Sequence, residues 1–186
     1  MDAFAEACKV EAKAMDDLRS FAQMVSDGHY VETAKGTHSQ KLQMNCGDLV
    51  YTSPETGEMV WVEIKSERSN AHGNFFLETW SNRNIKRQGW LRTCRADWLW
   101  YYFLDSCELF LINRPRLKRW AYGGKAPDGT ETIGNLPWFP EKGQGKYDQD
   151  NDARGVCVPI AVIVKEVTDE RYILRDNVWR KLTSGK

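Results

Sequence analysis

The chain has 186 residues, of which 28% are charged and 41% are hydrophobic, a balance that suits one globular domain with a single good core. Lys and Arg total 26, as do Asp and Glu, so the formal net charge is zero; this excludes a uniformly basic nucleic-acid coat but allows a local basic patch. Aromatic residues make up 12% of the chain, which excludes a disordered protein.

The predicted elements begin with a long helix. Apolar residues at three- and four-residue spacings predict this helix over Asp2–Val25, and Asp27-Gly28 provides a stop signal. The polar stretch Glu32–Gln43 predicts a loop or a short irregular strand. The runs Asp48–Thr52 and Met59–Lys65 flank a turn that contains Pro and Gly, so they predict an antiparallel hairpin.

Further strands and helices are predicted in the middle of the chain. Asn74–Trp80 predicts a third strand, and the aromatic segment Trp90–Leu104 has a spacing typical of a helix. Glu108–Asn113 predicts a short strand. Arg114–Tyr122 predicts a helix, because Pro115 is well placed in a first turn.

The composition changes in the last third of the chain. Ala121–Gly155 holds seven of the fourteen glycines, which predicts a loop-rich insertion outside the minimal core of a single domain covering residues 1–186. Val156–Val164 predicts a strongly apolar strand, and Pro159 within it favours an edge position or a bulge. The order of elements predicts an α/β fold of the α+β type, with a mixed central sheet flanked by helices.

Cysteine usage and hydropathy indicate a compartment. The five cysteines are widely spaced and form no C-x-x-C motif, a pattern typical of reduced intracellular thiols. The first ten residues lack the long apolar stretch of a signal peptide, and no run approaches the roughly 18 apolar residues of a membrane span. The sequence therefore predicts a cytoplasmic protein without a membrane partner.

The predicted hairpin carries the most informative chemistry. Strand alternation places Glu63 and Lys65 on one face and Ile64 on the other, and Asp48 begins the partner strand. Two carboxylates and an ammonium can then converge at one end of a sheet. Hard oxygen ligands of this kind suit Mg²⁺ or Mn²⁺, and Lys65 can orient a water or stabilise charge on a phosphoryl group. The alternative is an amphipathic hairpin whose charges are simply solvated.

The pattern of Asp48 at a strand start and Glu63-Ile64-Lys65 on the next strand resembles the PD-(D/E)XK nuclease superfamily. Gly47 stands where the nominal motif has Pro. The resemblance covers about Asp16 to Leu117. It implies a restriction-endonuclease-like core with the order helix–strand–strand–strand–helix–strand, and hydrolysis of DNA phosphodiester bonds. It also implies Asp48, Glu63 and the Ile64 carbonyl as metal ligands, and Lys65 as the residue that positions the attacking water.

Members that resemble Holliday-junction resolvases add an acidic residue from the first helix. Counting back from the glycine that ends the helix, Gly28, leads to Asp17, while Asp16, Glu11 and the strand residue Glu78 remain alternatives. The same resemblance implies a phage or mobile-element enzyme, or one acting in DNA repair or recombination, and a homodimer.

Positive charge is concentrated in residues 83–119, where nine Lys and Arg stand against three acids, a local charge of +6. A basic region that follows the predicted catalytic strand favours contact with a phosphate backbone. Arg83, Lys86 and Arg87 are the predicted phosphate contacts, since they lie in a polar loop before the next helix. Gln88 is a further candidate for substrate contact. The alternative is an ordinary solvated helix face.

Two other functions compete with the nuclease. One is a non-catalytic module that keeps the nuclease fold to bind nucleic acid or a protein, which the neutral net charge favours. The other is a zinc or thiol enzyme that uses Cys46, with His29 or His38 as base, which nothing in the spacing supports.

Overall fold

The computed structural model describes residues 3–33, 46–125, 129–143 and 152–183. The described helices are α1 (Ala3–Val25), α2 (Trp90–Thr93), α3 (Arg114–Tyr122) and α4 (Ile160–Glu166), and a 3-10 helix covers Leu136–Trp138. The strands are β1 (Tyr30–Glu32), β2 (Leu49–Thr52), β3 (Met59–Glu67), β4 (Asn74–Asn82), β5 (Arg87–Gln88), β6 (Trp98–Phe103), β7 (Glu108–Asn113), β8 (Gly123–Lys125), β9 (Glu131–Ile133), β10 (Glu141–Gly143), β11 (Arg154–Pro159), β12 (Thr168–Arg175) and β13 (Val178–Lys181).

A seven-stranded mixed sheet forms the centre of the protein, in the order β1-β2-β3-β6-β7-β12-β13. Strands β3 and β6 are parallel, and every other neighbouring pair in this sheet is antiparallel. A second sheet has the order β10-β11-β4-β5. The structure therefore confirms the mixed α/β class and the mixed central sheet.

Several predicted elements are confirmed. Helix α1 ends at Val25, and the chain then turns through Asp27 and Gly28, both of which have positive φ. The β2–β3 hairpin forms antiparallel. Helix α3 begins at Arg114, where the Asn113 side chain accepts a hydrogen bond from the Arg116 N–H and caps the helix.

The helix predicted over Trp90–Leu104 is wrong. Only Trp90–Thr93 is helical, and the aromatic run Trp98–Phe103 is the central strand β6. Strand β6 pairs with β3 along one edge and with β7 along the other, and its two faces are covered because alternate residues pack into two separate apolar cores. A strand that is buried on both faces is apolar throughout and does not alternate, so its sequence is easily taken for a buried helix.

The third predicted strand forms, but it does not join the central sheet. Strand β4 pairs with β11 and β5 in the second sheet. The strand predicted over Val156–Val164 is also wrong in part, because β11 ends at Pro159 and Ile160–Glu166 is helix α4. Pro159 thus ends the strand, and the irregularity in β11 lies between Arg154 and Gly155.

Two apolar cores lie on opposite faces of the central sheet. On one face, α1 packs against residues that include Val62, Ile64, Trp100 and Tyr102. On the other face, Leu99, Tyr101 and Phe103 pack against β4, β11, α3 and α4. Alternation along β3 and β6 therefore decides which side chains face α1 and which face the second sheet.

The predicted insertion Ala121–Gly155 is partly structured. It contains the β8–β9 hairpin, the 3-10 helix, β10 and the start of β11, while residues 126–128 and 144–151 lie outside the described part of the chain. Leu136 is buried against the core on the second-sheet side. None of the described helices combines the length and the apolar composition needed to cross a membrane.

Candidate active site

Asp48 is positioned by the residue before it. Gly47 has φ +115°, and a Cβ added to it would lie 2.4 Å from the Val62 carbonyl oxygen. This close approach allows the Asp48 N–H to donate to the Val62 carbonyl at 2.8 Å. The Asp48 carboxylate then accepts a hydrogen bond from the Ile64 N–H, also at 2.8 Å. Asp48 is thereby held against the middle of β3.

Glu63 and Lys65 project from the face of β3 that looks toward the second sheet. Their parallel partners on β6 are Leu99 and Tyr101, which belong to the core on that side. Ile64 is buried on the opposite face against α1. The Lys65 ammonium lies 2.6 Å from the Glu63 carboxylate, and the two side chains are 31% and 13% exposed.

The electrostatics show that four ionisable groups are close together. Burial raises the pKa of Glu63, Lys65 lowers it, and the negative charges of Asp48 and Glu78 raise it further. For Lys65, burial works to lower the pKa, but the carboxylates of Glu63, Asp48 and Glu78 outweigh burial and raise it above its ordinary value. The ammonium therefore stays charged at neutral pH.

The residues at this point suit a hard divalent cation. The Val62 carbonyl accepts from Asp48, which directly precedes β2. The carbonyl of Ile64, two residues on, points to the same edge of β3, beyond the end of β2. Asp48 and Glu63 are neighbouring carboxylates whose mutual repulsion a cation relieves. Within the described ranges, no three His, Cys, Asp or Glu side chains form a metal-binding group. Mg²⁺ needs only one or two carboxylates and keeps several waters.

The acidic residue predicted from α1 is not brought to this point. Asp17 accepts hydrogen bonds from the Tyr102 hydroxyl at 3.0 Å and from Lys13 at 2.6 Å. Tyr102 faces α1, so the central sheet separates Asp17 from Glu63. The α1 acids that line the same cleft as Asp48 include the alternatives Glu11 and Asp16. Asp16 forms an ion pair with Arg19.

Glu78 connects the site to the second sheet. Its carboxylate accepts a hydrogen bond from the Trp90 N–H at 3.2 Å, and burial raises its pKa. The Trp90 ring in turn lies under the ammonium of Lys65, 5.8 Å from the ring centroid. Lys65 is therefore held between a carboxylate and an aromatic face.

The predicted phosphate contacts are separated by the structure. Arg87 and Gln88 line the cleft that contains Asp48 and Glu63. Arg83 and Lys86 do not line it. Arg83 forms an ion pair with Glu141 at 3.5 Å, and Lys86 lies in an exposed turn with φ +54°.

The cleft is open and has a volume of about 2730 Å³. Its wall includes four cations of the basic region that were not among the predicted phosphate contacts: Arg92, Arg95, Arg114 and Lys118. It also includes Glu67, which accepts hydrogen bonds from the Tyr101 hydroxyl and the Phe76 N–H. Glu67 follows Glu63 and Lys65 at strand spacing, so alternation alone could have indicated it.

Comparisons of the chain with family models, curated proteins and solved structures give no match. The candidate site is therefore argued from its residues and their geometry alone. His38, the alternative base of a thiol enzyme, lies outside the described residues. Cys46 precedes Gly47 and is half-buried.

Proposed function

We propose that this chain is a metal-dependent nuclease that hydrolyses DNA phosphodiester bonds. The observation that carries the proposal is the convergence of Asp48, Glu63 and Lys65 at the end of the β2–β3 pair, on the wall of an open cleft. The central sheet also supports it, because α1 is followed by the paired strands β1, β2 and β3 and then by β6, which is parallel to β3, as a restriction-endonuclease-like core would have. In the chain, β4, β5 and the single helical turn α2 lie between β3 and β6.

Asp48, Glu63 and the Ile64 carbonyl are the residues that would hold Mg²⁺ or Mn²⁺. The ion, when bound, polarises a phosphoryl oxygen and lowers the pKa of a water. Asp48 needs no reorientation, because the Ile64 N–H already holds one of its oxygens. Glu63 shares its carboxylate with Lys65.

Lys65 has a different task, since an ammonium is not an oxygen ligand. Its raised pKa keeps it protonated, so it serves as a hydrogen-bond donor. From its position between Glu63 and Trp90 it orients the attacking water and stabilises negative charge on the phosphoryl group.

A non-catalytic nucleic-acid-binding module is the second candidate. The ion pair between Lys65 and Glu63 favours it, because the two charges already satisfy each other without a metal. The neutral net charge of the whole chain favours it as well.

A cleavage assay separates the two candidates. Linear, supercoiled, branched and single-stranded DNA would be incubated with Mg²⁺ or Mn²⁺, and metal binding would be measured in parallel by calorimetry. We expect Lys65→Ala to abolish cleavage and keep metal binding, whereas Asp48→Asn and Glu63→Gln lose both. Glu131→Gln, which removes an exposed carboxylate from β9, is the matched control and should cut like the parent.

A parent that cuts no substrate yet binds DNA would establish the binding module. Variants at Asp48, Glu63 and Lys65 that all cut like the parent would show that these residues are not the active site.

A further inference from the structure

Four cations form a cluster on the wall of the cleft, here called the basic cluster: Arg92, Arg95, Arg114 and Lys118. Arg92 lies in α2, and Arg95 follows it. Arg114 and Lys118 are four residues apart on α3 and share one face of that helix. The Lys118 ammonium donates to the Arg92 carbonyl at 3.1 Å, which ties α3 to α2.

The positive charge of the basic cluster is not balanced by acids. No member forms an ion pair with any residue that the structure describes. The Nε of Arg114 is buried and has no hydrogen-bond partner in the described part of the chain. Burial lowers the pKa of Lys118, and the nearby charges of Arg114, Arg92 and Arg95 lower it further. Such mutual repulsion is relieved when an anion binds among the cations.

The basic cluster adjoins the candidate active site. Cys94 is a buried residue of the cleft that both share, and burial raises the pKa of its thiol to about 11. The charge of Glu63 raises that pKa too, whereas those of Arg114 and Lys65 lower it, so the thiol is within electrostatic range of a member of the cluster and of the candidate active site. An anion in the cluster would therefore lie on the wall of the same cleft as Glu63 and Lys65.

We propose that the basic cluster binds the backbone phosphates of a DNA duplex that flank the phosphate placed at Asp48, Glu63 and Lys65. The choice of DNA rests on the proposed nuclease function. The cluster extends over two helices on the wall of an open cleft, with Arg92 and Arg95 exposed, so it suits successive phosphates of a polymer better than one enclosed phosphate ion. Arg92 is held in place by the Tyr122 ring, 4.7 Å from its guanidinium.

The test is DNA binding in the absence of metal. The fluorescence anisotropy of a labelled duplex would be titrated in EDTA over a range of salt concentrations. We expect Arg95→Gln to lower the slope of log K against log salt by about 0.9, and the double variant with Lys118→Gln to lower it by about twice that amount. Arg180→Gln removes an exposed cation on β13, outside the cleft, and is the matched control.

The outcomes distinguish this proposal from others. A parental salt slope in Arg95→Gln and in the double variant would overturn it, and a lowered slope in Lys86→Gln would place the contact in the loop instead. Inorganic phosphate that binds as tightly as the duplex, at an ionic strength matched with chloride, would show a site for free phosphate, which also overturns it. Arg95 is exposed, so its variant tests the proposal even if Lys118→Gln fails to fold.

The two proposals can fail separately. If the parent cuts no DNA but the cluster variants still lose binding, the nuclease is wrong and the phosphate site stands. If Lys65→Ala abolishes cleavage while the cluster variants bind like the parent, the nuclease stands and the phosphate site is wrong.

Discussion

Gly47 sets the position of Asp48 through its backbone. Its φ of +115° is rarely adopted by other residues, and a Cβ would meet the Val62 carbonyl oxygen at 2.4 Å. The carbonyl belongs to the rigid β3 ladder and cannot move away cheaply. Gly47 therefore allows the close contact on which the Asp48 hydrogen bonds depend.

Gly47→Ala should consequently cost roughly 2–4 kcal/mol of unfolding free energy, measured by chemical denaturation, from backbone strain and the clash together. Gly28→Ala is the matched control. Gly28 also has positive φ, at +83°, but a Cβ there meets nothing within 4 Å, so only the conformational cost of about 1 kcal/mol applies. Equal losses in the two variants would show that the contact with Val62 does not matter.

Glu67 gives the protein a pH-dependent stability. Burial raises the pKa of its carboxyl to about 7, while the Phe76 N–H lowers it. A carboxyl whose pKa is higher in the folded state than in the unfolded state takes up a proton on folding. Its charged form therefore opposes folding, and stability falls as the pH rises from its ordinary value of 4.5 through about 7.

We expect the parent to lose about 1–2 kcal/mol of unfolding free energy relative to Glu67→Gln between about pH 5 and pH 8. The Gln carbonyl still accepts from the Tyr101 hydroxyl and the Phe76 N–H, so packing is preserved. Glu58→Gln, at an exposed turn, should show the same pH dependence as the parent. A pH profile in Glu67→Gln that is parallel to that of the parent would contradict this prediction.

At the residue level, the sequence predicts those site residues whose orientation depends only on their spacing along one strand. Glu63, Ile64 and Lys65 alternate on one strand, and their faces follow from that alternation. Asp17 depends instead on the rotation and height of α1 over the sheet, which spacing from Gly28 does not determine. The structure turns Asp17 toward Tyr102 and places Glu11 on the wall of the cleft.

At the level of elements, boundaries fail where the hydrophobic pattern is ambiguous. Trp98–Phe103 is apolar on both faces, and its aromatic residues also fit a helical period. Strand β11 and helix α4 form one apolar run in the sequence, and only Pro159 marks the change between them. A proline argues against a central strand, but it does not indicate whether a strand or a helix follows it.

The turn between β12 and β13 carries a sequence signal for a hairpin. Asp176 and Asn177 both have positive φ, at 52° and 58°, and join two antiparallel strands. Asp and Asn are the residues other than Gly that most readily adopt this conformation. The dipeptide therefore indicates a tight hairpin, and Trp179 anchors it by packing against Phe21 of α1.

At the level of the whole molecule, the cleft depends on the pairing of two strands that are far apart in the sequence. Strand β4 follows β3 in the sequence but pairs with β11, more than seventy residues away. This long-range pairing brings Glu78 to the site and carries the chain on to α2, where the basic cluster begins. Single-sequence patterns describe local spacing, so they cannot predict which distant strand becomes a neighbour.

Metal-linked stability tests the site in the intact molecule without relying on activity. A cation that binds only the folded protein raises the unfolding free energy by RT ln(1 + [L]/Kd), about 2.7 kcal/mol at roughly 100 times Kd. We therefore expect Mg²⁺ or Mn²⁺ to raise the melting temperature of the parent and EDTA to reverse the rise. Lys65→Ala should keep the rise, because it removes no oxygen ligand and relieves the competition for Glu63.

Asp48→Asn and Glu63→Gln should lose the increase in melting temperature, whereas Glu131→Gln should keep it. Removing the charge of Asp48 weakens its repulsion with Glu63 and also its attraction to Lys65, so each variant is compared with its own metal-free melting temperature. A melting temperature that rises equally in the parent and in both site variants would place the cation elsewhere on the surface. It would also leave the Asp48–Glu63 pair without the metal role proposed for it.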